Sequence, residues 1–175
     1  MSPAIAHLER ASTLADFTSP RLLVPQLGGR DASSVIRELS LVLSQEGRVP
    51  DKAGFQAAVL QRESQASSQM EFGMALPHAR LAALDELSFA LGRSAEPLVW
   101  RAGETASVRL VFLIAVPANN PSRHLDVIAG LSRLSRNAPV VEQLGSAQDP
   151  GKMFDALRRV QLPSATRPAP LGDGF

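Results

Sequence analysis

The 175-residue sequence contains no cysteine. This absence excludes disulfides, thiolate nucleophiles, iron–sulfur clusters and zinc sites built on thiolates. An excess of charge of one sign is also lacking, because 18 basic residues face 17 acidic ones and the formal net charge is +1. So small a net charge exerts no general attraction on a nucleic acid or a membrane surface, and we expect neither to be a partner.

Long hydrophobic runs are absent as well. The longest run covers residues 110–117, whereas a membrane-spanning helix needs about 18 consecutive apolar residues. The beginning of the sequence has neither the basic start nor the apolar stretch of a secretory signal. We therefore expect a cytoplasmic protein that does not insert into a membrane.

The length and the 45% of hydrophobic residues suit one compact domain. A chain of this size buries roughly 70% of its unfolded surface on folding. Residues 1–13 are polar and weakly patterned, which predicts an N-terminal arm. Residues 161–175 are rich in proline, glycine and alanine, which predicts a disordered C-terminal tail. The domain itself is expected at residues 14–160.

The hydrophobic pattern alternates between helices and strands along this domain. Asp31 is placed to cap the first of two successive helices, and a later helix opens at Pro121, with Leu125 among its inward-facing residues. Residues 108–116 have the composition of a buried strand. Strands interleaved with helices predict an α/β domain with a central sheet and helices on both faces. The sheet should be mixed, because segment 76–91 is too short for a parallel crossover.

Histidines are the scarce reactive side chains, and there are three of them. His7 lies in the predicted arm, where we expect no function for it. His78 directly follows Pro77, and because proline restricts the backbone of both residues, the imidazole is presented rigidly at a strand end. His124 lies near the start of the helix that follows the core strand, a position where α/β sheets bind ligands.

The residues alone leave three roles open for His78, which are a nucleophile, a general base and a packed core histidine. For His124 they leave a surface residue or a site residue. A metal site is not predicted, because no cluster of histidines or carboxylates supplies a third ligand. No P-loop or Gly-x-Gly-x-x-Gly motif is present either, and we predict no cofactor.

Segment 62–80 reads Arg-Glu-Ser-Gln-Ala-Ser-Ser-Gln-Met-Glu-Phe-Gly-Met-Ala-Leu-Pro-His-Ala-Arg. It resembles the signature of the IIA domains of the bacterial phosphoenolpyruvate-dependent phosphotransferase system. The branch it is similar to is the fructose/mannitol type, which includes the nitrogen-regulatory IIA proteins. That signature has Arg-Glu, then Ser-Thr, a glycine-rich turn and Gly-x-Ala-x-Pro-His. The likeness covers roughly residues 14–160, and it implies the mannitol-type IIA fold.

The resemblance implies roles for four residues. The family's phosphorylated histidine corresponds to His78, its second histidine to His124 and its arginine to Arg62. Arg62 would bind phosphate oxygens through its guanidinium, and Ser68, at the family's threonine position, would donate to the phosphate or to His78. Phosphoryl transfer depends on positioning and charge stabilisation more than on a built-in acid or base, so few residues suffice.

The function implied by the resemblance is that of a phosphocarrier. It would accept a phosphoryl group on His78 from a phosphorylated HPr-like carrier and pass it to a cysteine of a separate IIB component, beside a separate permease, for sugar uptake. The alternative is a nitrogen-type regulatory protein whose phosphorylation on His78 controls binding to partner proteins. A small hydrolase is disfavoured, because the sequence lacks a Gly-x-Ser-x-Gly motif, cysteine and a metal cluster. The sequence leaves a homodimer open.

Two residues in the turn before Met74 depart from the family pattern. Gln69 and Glu71 stand where members of the family usually have more glycine. A carboxylate on Glu71 close to the phosphorylation site predicts one of two effects. It would either disfavour the phosphorylated form or raise the pKa of His78.

Overall fold

The computed structural model describes residues 12–163. Within that range the chain forms six β-strands in one sheet, five α-helices and two short 3-10 helices. The predicted arm (1–13) and the predicted tail (161–175) lie outside the described residues except for their inner ends. At those inner ends Thr13 and Gln161 form an antiparallel bridge.

One strand and two α-helices precede the other five strands, and three α-helices follow them. The strands are β1 (Leu23–Val24), β2 (Gln69–Met70), β3 (Met74–Ala75), β4 (His78–Leu81), β5 (Ser88–Leu98) and β6 (Val108–Pro117). The α-helices are α1 (Ala32–Gln45), α2 (Lys52–Gln65), α3 (Pro121–Ser135), α4 (Ala138–Ser146) and α5 (Pro150–Arg158). The 3-10 helices are Leu14–Phe17 and Pro20–Leu22.

The sheet is built around β6. On one side β6 is antiparallel to β5, and on the other it is parallel to β3 and then to β4. β1 extends the sheet in parallel beyond β5, and β2 closes the opposite edge antiparallel to β3. The ladder is interrupted between β3 and β4 at Pro77, which has no N–H to donate. The predicted mixed sheet is thus confirmed.

Helices cover both faces of the sheet, as the sequence predicts. Phe112 and Ile114 of β6 belong to the core under α3, α4 and α5, whereas Val111 and Leu113 belong to the core under α1 and α2. This division follows from the alternation of side chains along a strand. From Leu110 to Pro117 β6 is buried on both sides, which explains why that part of its sequence is a continuous apolar run.

The helix starts agree with the capping residues in the sequence. The Asp31 carboxylate accepts a hydrogen bond from the backbone N–H of Ser34 at 2.8 Å, and the Asp51 carboxylate accepts one from the N–H of Gly54 at 3.0 Å. Each bond satisfies an N–H that has no partner within its helix.

The orientation of α3 differs from the prediction at one position. Leu125, which was expected to face inward, is 67% exposed. His124 is buried in its place and begins an inner stripe that continues through Val127, Leu131 and Leu134. These intervals of three and four residues are those of one helix face. The polar histidine therefore occupies an inner position that a hydrophobicity pattern assigns to leucine.

Candidate functional site

Three elements bring Arg62, His78 and His124 together. Arg62 lies in the last turn of α2, His78 opens β4, and His124 lies in the first turn of α3. The Nε of Arg62 donates to the Nε2 of His78 at 2.9 Å. The two imidazole rings have centroids 5.3 Å apart and planes tilted by 52°. The remaining histidine, His7, lies outside the described residues.

The position of His78 follows from the strand register. β4 pairs only with β6 among the described strands, with His78 opposite Ile114, so its other side is an edge that the end of α2 can reach. Alternate residues of a strand share a face. Ala79 belongs to the core under α1 and α2, so His78 and Arg80 lie on the opposite face, the one that α3 covers.

Hydrogen bonds define the tautomer of His78. Its Nδ1 is 2.9 Å from the carbonyl oxygen of Leu76. A carbonyl oxygen can only accept, so Nδ1 carries the proton and Nε2 carries a lone pair. The N–H of Arg62 points at that lone pair. His78 therefore presents a nucleophilic nitrogen beside a fixed positive charge.

The surroundings of both histidines favour the neutral form over the charged one. Burial lowers the pKa of His78 from its ordinary 6.5, and the charges of Arg62 and Arg80 lower it further, against opposing effects of the Leu76 hydrogen bond and Glu63. Burial also lowers the pKa of His124, with further contributions from His78, Arg80 and Arg62. A neutral imidazole is the form that can attack a phosphoryl group.

These shifts predict the titration of both rings. In a ¹H–¹⁵N NMR titration, His78 and His124 should each protonate with a midpoint below 6.5, because burial disfavours the charged imidazolium. Replacing Arg62 by glutamine should move the midpoint of His78 upward, since a repelling charge is removed. A wild-type midpoint for His78 at or above 6.5 would contradict this description of the site.

Glu63 contributes a carboxylate to the site, and the sequence prediction left it without a role. One oxygen, Oε1, accepts from the backbone N–H of Ser68 at 2.9 Å and from the indole N–H of Trp100 at 2.7 Å. The carbonyl of Ser68 accepts in turn from the N–H of Leu76 at 3.0 Å. The Arg-Glu pair of the signature pointed to Glu63. Its role could not be predicted, because its partner Trp100 is 37 residues away in the sequence.

Loss of the Glu63 carboxylate should destabilise the protein. In Glu63→Ala the indole N–H of buried Trp100 loses its acceptor, and an unsatisfied buried donor costs about 1–3 kcal/mol. Glu63→Gln keeps an oxygen in place and should retain most of the stability. Urea unfolding of the two variants compares these costs. Equal free energies of unfolding for Glu63→Ala and wild type would show that the contact contributes nothing.

The hydroxyl of Ser68 does not contact either histidine through a hydrogen bond. Its Oγ is buried and has no hydrogen-bond partner among the described residues. The backbone of Ser68, by contrast, is bonded on both sides, to Glu63 and to Leu76. In this structure Ser68 therefore joins the site through its main chain.

Arg80 is a site residue that sequence reasoning did not single out. Its Nη2 lies 3.4 Å from the Nδ1 of His124. The signal that could have found it is its spacing of two from His78 on one strand, which puts both side chains on one face. Ion pairs among the described residues are formed by Arg101, Lys152 and Arg158. Within that range neither Arg62 nor Arg80 is paired with a carboxylate.

The exposed position of Glu71, in the turn before Met74, bears on the expected effect of its carboxylate on His78. Glu71 is exposed, and the carboxylate that acts on His78 is that of Glu63. The pKa of His78 is lowered, so the expectation that Glu71 raises it is wrong. Phe72, next to Glu71, has a positive φ of 64° and is 61% exposed.

The described range, residues 12–163, lacks both a metal-binding cluster and a membrane-spanning helix. It contains no group of three or more histidines and carboxylates that could hold a metal ion. None of its helices is both long enough and apolar enough to cross a bilayer.

The sequence matches one family model over residues 16–160, which is described as "Phosphoenolpyruvate-dependent sugar phosphotransferase system, EIIA 2". It is 34% identical over 114 residues to the fructose-specific EIIA component of Haloferax volcanii, covering 65% of this chain and 74% of that one. It is 26% identical over 153 residues to a nitrogen regulatory protein of Bradyrhizobium diazoefficiens, covering 87% and 97%.

Two further comparisons concern protein length and fold. The chain is 29% identical over 130 residues to the fructose-specific EIIABC component of Bacillus subtilis, covering 74% of this chain but only 20% of that longer protein. In three dimensions it is similar to the nitrogen regulatory protein IIA-Ntr of Neisseria meningitidis, with a TM-score of 0.71, 23% identity and coverage of 82% and 98%. This structural likeness establishes the fold.

Proposed function

Because the chain belongs to the EIIA type 2 family of the phosphoenolpyruvate-dependent sugar phosphotransferase system, we propose that it is a phosphocarrier whose phosphorylated residue is His78. The donor in this proposal is a phosphorylated HPr-like carrier. The acceptor is a cysteine on a separate IIB component of a sugar-uptake system. The observation that supports it most strongly is the unprotonated Nε2 of His78, which lies 2.9 Å from the Nε of Arg62.

The transfer itself is a displacement between two imidazoles. The lone pair on Nε2 of His78 forms a new P–N bond as the P–N bond of the donor breaks, and the donor imidazole leaves with the electron pair. Arg62 must first turn from Nε2, because its N–H occupies the attacking lone pair. Positive charge then develops on the ring, and the carbonyl of Leu76, bonded to Nδ1–H, stabilises it.

The surrounding groups stabilise the charge of the phosphoryl oxygens. Arg62 carries a planar fork of donors that matches a phosphoryl group. His124 lies against His78 and can donate a hydrogen bond from its ring. The Ser68 hydroxyl, unpartnered among the described residues, is a further donor. Such fixed donors lower the barrier to phosphoryl transfer without a separate acid or base.

A regulatory role is the second candidate, and the comparisons give it specific support. The nitrogen regulatory relative is matched over 87% of this chain, whereas the fructose-specific EIIA relative is matched over 65%. In this alternative His78 is phosphorylated by the same chemistry, and the added negative charge changes the affinity for a partner protein.

One reconstitution distinguishes these functions. The purified protein is mixed with enzyme I, HPr and phosphoenolpyruvate, and intact mass detects one acid-labile phosphate. A IIB domain is then added, and transfer to its cysteine is measured. Phosphate that moves to IIB supports the sugar-uptake function, and phosphate that stays on the protein supports the regulatory one. Folded protein that takes no phosphate from its cognate HPr contradicts both.

A further inference from the structure

We propose that Arg80 is a positioning residue that holds His124 in the tautomer with its proton on Nε2, so that this N–H donates to the phosphoryl group on His78. The proposal rests on the proposed function. It assigns Arg80 a role that acts through His124, and it predicts which nitrogen of His124 is protonated before any phosphate arrives.

The direction of the Arg80–His124 hydrogen bond follows from the chemistry of its donor. A guanidinium has five N–H donors and no acceptor. Its Nη2 lies 3.4 Å from Nδ1 of His124, so Nδ1 is the acceptor and carries no proton. A neutral imidazole has one N–H, and that proton must then be on Nε2 of His124.

That N–H is buried and unsatisfied. His124 is 8% exposed, and its Nε2 has no hydrogen-bond partner among residues 12–163. A buried donor without an acceptor costs free energy, and native proteins rarely leave one so. The ring that carries it has its centroid 5.3 Å from that of His78, so an oxygen of a phosphoryl group on His78 is the acceptor we assign to it.

The two arginines then have complementary effects on the two rings. Arg62 donates to Nε2 of His78, whose proton is on Nδ1. Arg80 donates to Nδ1 of His124, whose proton is on Nε2. His78 is left with the lone pair that attacks, and His124 is left with the proton that a phosphoryl oxygen accepts. The two histidines thus have opposite roles, His78 as the nucleophile and His124 as the hydrogen-bond donor.

The first test reads the tautomer of the unphosphorylated protein. Long-range ¹H–¹⁵N NMR on wild type should show His124 protonated on Nε2 alone. In Arg80→Ala it should show a mixture of both tautomers, while His78 keeps its proton on Nδ1. Arg136→Ala is the matched control, because it removes an exposed arginine that directly follows α3, at the end of that helix far from His124. A single Nε2–H tautomer in Arg80→Ala would overturn the proposal.

The second test measures phosphate acceptance from phosphorylated HPr. Arg80→Ala should slow it about tenfold, the equivalent of one hydrogen bond to a charged group, and Arg136→Ala should not change it. In a His124→Ala background, Arg80→Ala should have no further effect. A full tenfold loss in that background would mean that Arg80 acts by its own charge, and the proposal would fail.

The two tests also separate this proposal from the proposed function. If the wild-type protein takes no phosphate, the phosphocarrier function fails, and the NMR experiment still decides whether Arg80 sets the tautomer of His124. If phosphate is accepted but the tautomer does not respond to Arg80→Ala, the phosphocarrier function stands and the role of Arg80 is rejected.

Discussion

Replacement of His78 by alanine is expected to abolish phosphate acceptance from HPr completely. The variant lacks the nitrogen that forms the P–N bond, and we expect no replacement from His124, because its ring is buried. Intact mass after incubation with enzyme I, HPr and phosphoenolpyruvate should show no added phosphate. His124→Ala, the matched variant, should still take up one phosphate, more slowly.

His78→Gln is a second variant that controls for a folding defect in His78→Ala. Glutamine retains a polar group of moderate size at the start of β4, and circular dichroism can verify that both variants are folded. An acid-labile phosphate on folded His78→Ala would place the phosphorylated residue elsewhere and would refute the proposed chemistry.

Replacement of Arg62 by alanine is expected to reduce the rate of phosphate acceptance by about 10²–10³-fold, the loss that follows removal of one preorganised donor to a developing charge. The reason is geometric, because the Arg62 guanidinium lies beside His78 and, once it has turned from the Nε2 lone pair, can donate to the oxygens of the phosphoryl group on that nitrogen. The rate should be measured by rapid quench with phosphorylated HPr in excess. Arg62 is exposed at the end of α2, so the variant should fold.

Two further variants identify the origin of the Arg62 effect. Arg62→Lys keeps the charge but loses the planar fork, and its rate should lie between those of the alanine variant and the wild type. Arg37→Ala removes an exposed arginine from α1 and should leave the rate unchanged. A wild-type rate for Arg62→Ala would exclude Arg62 from the transfer step.

Most of the fold could be predicted from periodicity because its elements are strongly patterned. The continuous apolar run of β6 and the capped, one-sided helices predicted a sheet with helices on both faces. The short strands β2 and β4 were not predicted, since strands of two and four residues are too short for a period to show. Leu125 was predicted to face inward, but His124 is the buried residue and Leu125 is exposed. A hydrophobicity pattern cannot anticipate a histidine held inside a polar site.

The candidate site could be predicted only in part. Arg62, His78 and His124 were predicted as site residues through the resemblance to the family signature, and the structure brings them together. Trp100 and Arg80 were not found, because their contacts with Glu63 and His124 cross 37 and 44 residues of sequence. The side-chain role of Ser68 stays a prediction, since the bonds observed for this residue are made by its backbone. Such contacts depend on tertiary structure that a single sequence does not specify.

The measurement that tests the central claim most directly is the position of the phosphate on the phosphorylated protein. Combined ³¹P and long-range ¹H–¹⁵N NMR identifies both the histidine and the ring nitrogen that carries phosphorus. The structure predicts Nε2 of His78, because Nδ1 of that ring is protonated and bonded to the carbonyl of Leu76. Phosphorus on Nδ1 of His78, or on His124, would contradict the account.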